Sequence, residues 1–151
     1  MIAVRRLTLA FGSVLAAVVL AACGASTHTS TTGSTAAARA QIKSAYEKFF
    51  SSKTSIPDRV ALLQNGQRFK GVVTSFAKNP LASRTSATVS SVTLQGMNRA
   101  KVVYTVKVAG AALPKQTGAA VRENGTWKVG DASLCKLIAL GGTTPSVCKS
   151  S

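Results

Sequence analysis

An α+β domain with its helices first and an antiparallel sheet after them is what this sequence predicts, and a change of hydrophobic period carries that expectation. Between residues 42 and 76 the large apolar side chains recur at three-and-four spacing, the period of a helix face. Between residues 92 and 129 they alternate with polar ones at period two, interrupted by turns rich in Gly and Asn, as half-buried strands do. That order places the helices over one face of a curved sheet.

Ahead of the domain lies an address. Residues 1–22 run from a basic start at Arg5 and Arg6 through an apolar stretch, Leu7 to Leu20, to the small residues Ala21 and Ala22. This is the order of a secretory signal. The stretch is shorter than the roughly 20 residues of a permanent span, and it opens into Gly24 and Ala25 where a stop-transfer charge would be needed. Leu20-Ala21-Ala22-Cys23 resembles the bacterial lipobox. That resemblance implies that Cys23 becomes the lipidated first residue of an exported chain, anchored at the outer face of the cytoplasmic membrane. Three cysteines would leave one unpaired in an exported protein; with Cys23 carrying lipid, Cys135 and Cys148 remain as a pair. Twelve residues separate them, with no C-x-x-C and no histidine nearby, which argues for a structural disulfide over a metal or redox pair. Residues 24–35 are almost wholly Gly, Ala, Ser and Thr, with His28 as the one titratable side chain, and read as a flexible tether. Residues 36–151 are enough for one core and too few for two.

Within that domain, Ile42, Ala45, Tyr46 and Phe49 line one face of a first helix. Ser55-Ile56-Pro57-Asp58 reads as a capping box opening a second, with Val60 and Leu63 on its buried side and Asn65-Gly66 at its end. Phe69, Val72, Val73 and Phe76 define a third, closed by Asn79-Pro80. The first strand signal is the alternation around Val92 and Leu94. Gln95-Gly96-Met97-Asn98 then turns the chain into a long strand carrying Val102, Tyr104, Val106 and Val108 on one face. Gly110 to Pro114 breaks it. A further strand over about 117–123 reaches Asn124-Gly125, a strong two-residue hairpin signal, and Trp127-Lys128-Val129 begins its partner. The Asn124-Gly125-Thr126 sequon is therefore read as a turn.

Three groups of residues carry a family resemblance: Leu62-Leu63-Gln64-Asn65-Gly66, then Asn124-Gly125-Thr126-Trp127-Lys128-Val129, then Ser133-Leu134-Cys135 with the terminal Cys148. Together they resemble the actinobacterial low-molecular-weight secreted antigen family over roughly residues 36–148. The resemblance implies a nuclear transport factor 2-like (cystatin-like) cone, a curved sheet wrapped by helices, and a setting outside the cytoplasm. It carries over no catalytic residue.

The residues themselves offer little chemistry. The acids are Glu47, Asp58, Glu123 and Asp131, and the sole histidine, His28, lies in the tether, where it cannot serve a nucleophile in a folded pocket. No set of three or four converging metal ligands is visible and no cofactor is expected. Gly66 and Gly71 have the spacing of a phosphate loop, but Val72 stands where its lysine belongs and no strand precedes. A cone could use Asp131 as a general base, since it alternates with Trp127 and Val129; the preferred reading is a place at the strand end, capping the following turn or pairing with a lysine. Tyr46, Phe69, Phe76, Tyr104 and Trp127 could line a cavity for a small apolar ligand, or simply fill a core of this size. Without Arg5 and Arg6 the chain keeps 17 Lys and Arg against four acids, a net charge of +13. Export and the lack of aromatic-interleaved basic runs argue against nucleic acid. Beside a membrane, such a surface suits anionic lipid headgroups or acidic wall polymers. The expectation is thus an exported, non-catalytic binding or accessory protein of the envelope.

Overall fold

The computed structural model describes residues 31–150, so the expected signal, Cys23 and the tether up to residue 30 lie outside the described residues. The first helix, α1 (Thr31–Phe50), begins inside the stretch expected as tether. Its buried stripe is the expected one, Ile42, Ala45, Tyr46 and Phe49, joined by Phe50. Upstream of that stripe the run Ala36-Ala37-Ala38 has the highest helix propensity available, which extends the helix beyond its packed part.

The second helix, α2 (Ile56–Ala61), starts at the expected cap. Ser55 is extended, its Oγ accepts from the Asp58 N–H at 3.2 Å and donates to Asp58 Oδ2 at 2.6 Å, and Pro57 sits in the first turn where no N–H is required. The chain then tightens around Gly66, where a Cβ would stand 1.8 Å from the Val60 carbonyl oxygen. Only glycine fits there. In α3 (Lys70–Lys78), Val73 is buried and the preceding Phe69 fully so. Asn79 ends it in the extended conformation that a residue before proline adopts, and its Oδ1 accepts from the Leu81 N–H at 2.9 Å to start a 3-10 turn, Pro80–Arg84.

The sheet opens with β1 (Thr85–Leu94), which begins well before the expected signal at Val92. Its early inward positions are Thr85, Ala87 and Val89, small or polar side chains that show little period, and a bulge between Val89 and Ser91 breaks the alternation. Antiparallel to it runs β2 (Arg99–Val108), with Val102, Tyr104 and Val106 buried as expected. The return path is interrupted: β3 (Ala111–Ala112) pairs with the far end of β2 and β4 (Gln116–Glu123) with the near end. Between them Leu113 keeps one bond, its N–H to the Val106 carbonyl at 2.8 Å, and Pro114 has none to give. Asn124 and Gly125, with φ of 49° and 79°, form the expected hairpin turn into β5 (Thr126–Val129).

The order is β1-β2-β4-β5, antiparallel throughout. The sheet curls into a half-barrel with α1 laid against β1 and β5, the arrangement of a nuclear transport factor 2-like cone. The free edge of β5 is covered by the chain after α2: the Val129 N–H donates to the Leu62 carbonyl at 2.9 Å, and the Gln64 N–H to the Val129 carbonyl at 2.8 Å.

One element departs from the helices-first order. A fourth helix, α4 (Asp131–Ala139), follows the last strand. The expected disulfide joins its Cys135 to Cys148, with Cα atoms 5.5 Å apart, and folds the tail back on the helix.

Candidate functional site

The curl of the sheet leaves a cavity of about 460 Å³ between its concave face and the helices. Phe49 and Phe50 reach it from α1, Val72, Val73 and Phe76 from α3, and Val106 and Val108 from β2. Leu113 enters from the break between β3 and β4. Leu134, Leu137 and Ile138 close it from α4, followed by Leu140. Phe76 and Leu140 line the cavity and are also 38% and 60% exposed, so its mouth lies between α3 and the end of α4. The wall is apolar apart from Arg59, Asn79, Thr85, Thr143 and the backbone at Gly141. Its volume falls within the range of about 300–1,000 Å³ typical of small-molecule sites.

Of the six residues expected to line a pocket, only Phe76 lines this cavity. Tyr46, Phe69 and Tyr104 are core. The Tyr46 and Tyr104 rings meet edge to face at 4.9 Å, and Tyr104 stacks on Phe50 at 5.7 Å, so the tyrosines back the cavity wall instead of forming it. The Tyr46 hydroxyl donates to the Ala119 carbonyl at 2.7 Å and lies 3.3 Å from Ser133 Oγ, joining α1, β4 and α4. Gly118 makes room for this junction, since a Cβ there would stand 2.7 Å from both side-chain oxygens. Burial raises both phenols, Tyr46 well above the usual range and Tyr104 to about 12.

Trp127 is buried and borders a separate depression beside Ala40, Ser44 and Lys48 of α1. Asp131 also points elsewhere: Oδ2 accepts from Asn65 Nδ2 at 2.8 Å and Oδ1 from the Ala132 N–H at 2.7 Å, at the start of α4. The carboxylate is a tie between the turn after α2 and a helix N-terminus. Among the described residues no carboxylate lines the cavity, and no three His, Cys, Asp or Glu come together to hold a metal.

Two parts of the wall were not anticipated. The α4 residues carry a legible signal, Leu134, Leu137 and Ile138 at helical spacing after Gly130-Asp131, in the segment that also holds Cys135. The other is Arg59. It is 4% exposed and lines the cavity, its guanidinium carbon standing 5.8 Å from the centre of the Phe76 ring. Nε donates to the Thr54 carbonyl at 3.1 Å and Nη2 to the Ser51 carbonyl at 2.6 Å. Burial lowers its pKa. Nothing in the sequence around Arg59 distinguishes it from a surface cation, because its burial depends on α3 and on the segment after α1.

A curled antiparallel sheet and its helices enclosing an apolar, solvent-open cavity define the class: a nuclear transport factor 2-like α+β cone. The chain belongs to the family described as low molecular weight antigen MTB12, C-terminal domain, which it matches over residues 35–145. This is a family of secreted antigens, as the three residue groups implied. A search of curated proteins returned no match.

Proposed function

We propose that the protein is an exported, lipid-anchored, non-catalytic binding protein that holds a small apolar ligand in the cavity between α3, β2 and α4. The observation that carries this reading is the cavity itself, walled by aliphatic and aromatic side chains and open between Phe76 and Leu140. A core that only had to be filled would close over this space, because unfilled apolar volume costs stability. A bound apolar molecule offsets that cost. Turnover finds no support on the wall, which among the described residues has no Asp, Glu, His or Cys to move a proton or attack a substrate.

The test is titration of the neutral fluorophore Nile red into the full chain carrying Cys23→Ser. Saturable one-site binding is expected, and Leu137→Trp, which fills the cavity, should abolish it while leaving the thermal transition in place. Binding that is absent, or that ignores Leu137→Trp, would overturn the reading.

A second reading is favoured by a different observation. Arg99, Lys101 and Lys107 are exposed on one solvent-facing row of β2, away from the buried Val102, Tyr104 and Val106. A row of this kind suits docking to anionic lipid headgroups or acidic wall polymers.

A further inference from the structure

Resting on the reading of the cavity as a ligand site, we propose that its ligand is an amphiphile with one anionic headgroup, a carboxylate, held by the guanidinium of Arg59 while the hydrocarbon lies along α3, β2 and α4. A guanidinium has five N–H donors. Two are spent on the carbonyls of Ser51 and Thr54, which hold the Nε and Nη2 side of the fork. Those two bonds engage Nε and Nη2, and no buried side-chain nitrogen among the described residues lacks a partner, so Nη1, with no bond of this kind, is not sealed within the protein. The open space that Arg59 lines is the cavity. A planar carboxylate matches the free end of that fork with two parallel hydrogen bonds.

The charge balance points the same way. A cation buried this deeply is costly unless an anion meets it. The carbonyls of Ser51 and Thr54, just past the C-terminal end of α1, offset part of that cost. No carboxylate of the described residues completes it: Glu47 pairs with Lys43, Glu123 with Lys128, Asp58 with Ser55, and Asp131 with Asn65. A latch for the α1–α2 connection would account for the two backbone bonds. It would not account for the remaining donors lying against an apolar cavity with Phe76 beside them. An incoming carboxylate supplies the missing anion, and the apolar wall supplies the affinity.

The experiment compares dodecanoate with dodecanol as displacers of Nile red from the full chain carrying Cys23→Ser. The carboxylate is expected to displace the probe at roughly tenfold lower concentration than the alcohol, the value of one charge-assisted hydrogen-bonding pair. Arg59→Met should erase that preference while Nile red still binds, and Arg59→Lys, which keeps the charge but loses the fork, should keep only a minor part of it. Equal displacement by acid and alcohol would overturn the proposal and reduce Arg59 to a structural latch. Failure of Nile red to bind at all would instead remove the ligand-site reading beneath it. The comparison in the unsubstituted cavity requires no change at Arg59, so it decides between acid and alcohol even if the Arg59→Met chain misfolds.

Discussion

Among individual residues, the two tyrosines show how a side chain that could orient a ligand becomes part of the frame. Tyr46 bonds across three elements, and Tyr104 lies between it and Phe50. Both phenols are held protonated by burial, from an ordinary value of 10.0, Tyr104 to about 12 and Tyr46 further still. A folded-state pKa raised above the unfolded one makes the folded state bind the proton more tightly. The associated stability is complete below the unfolded value and is lost as pH climbs from 10.0 toward 12, where unfolded tyrosines ionise while the buried ones resist. Urea unfolding followed across that window should show stability falling with pH, and Tyr104→Phe should make the fall shallower. A slope that Tyr104→Phe does not change would show that this ring does not contribute to it.

Single elements show why the fold was more legible than the site. The stripe on α1, the Ser55 cap, the period of β2 and the Asn124-Gly125 turn are local signals, each complete within about ten residues. The start of β1 was hidden because Thr85, Ala87 and Val89 are small or polar where a strand's inner face is usually large. The helix α4 is legible only weakly: Leu134, Leu137 and Ile138 stand at helical spacing, but the element is short, 9 residues, and offers a single turn of that period. Two of the residue groups that signalled the family meet each other, Leu62 and Gln64 bonding to Val129, and Asn65 extends the contact to Asp131 just beyond them. They encode the seam that closes the cone. The cavity has no such signal, because its wall is assembled from separate stretches of chain and a residue's place on it depends on the curl of the sheet. The disulfide makes α4 a dependable part of that wall. Its partners are 13 residues apart, and a loop of that size contributes about 3 kcal/mol in the chain-entropy account. Cys148→Ser should therefore lower unfolding stability by about 2–3 kcal/mol and weaken Nile red binding, as Leu134, Leu137 and Ile138 lose their fixed position. Lowered stability with unchanged probe binding would show that α4 holds its place without the tail.

For the whole molecule, the dominant feature is charge. All four acids are engaged locally, by Lys43, Lys128, Ser55 and Asn65, which leaves the domain with little to neutralise its 17 Lys and Arg. We propose that lipid on Cys23 holds the domain within reach of an anionic surface and that Arg99, Lys101 and Lys107 on the outer face of β2 meet it. Each cation near such a surface contributes about 1 kcal/mol, and the attraction decays over a screening length of about 8–10 Å at physiological salt. Three cations are enough for a weak association and too few for a permanent one, so the anchor and the basic row need each other. With wild-type protein, detergent phase partition should place the exported chain in the detergent phase, and the chain begun at residue 23 with Cys23→Ser should stay in the aqueous phase. The Cys23→Ser chain should still be retained on phosphatidylglycerol vesicles at low salt, be released as salt is raised, and lose most of that retention when Lys101 and Lys107 are changed to Glu. Retention that persists at high salt, or that survives both substitutions, would assign the contact to apolar surface such as the cavity mouth at Phe76 and Leu140, because only a charge-driven contact is weakened by screening and by reversing the sign of the row.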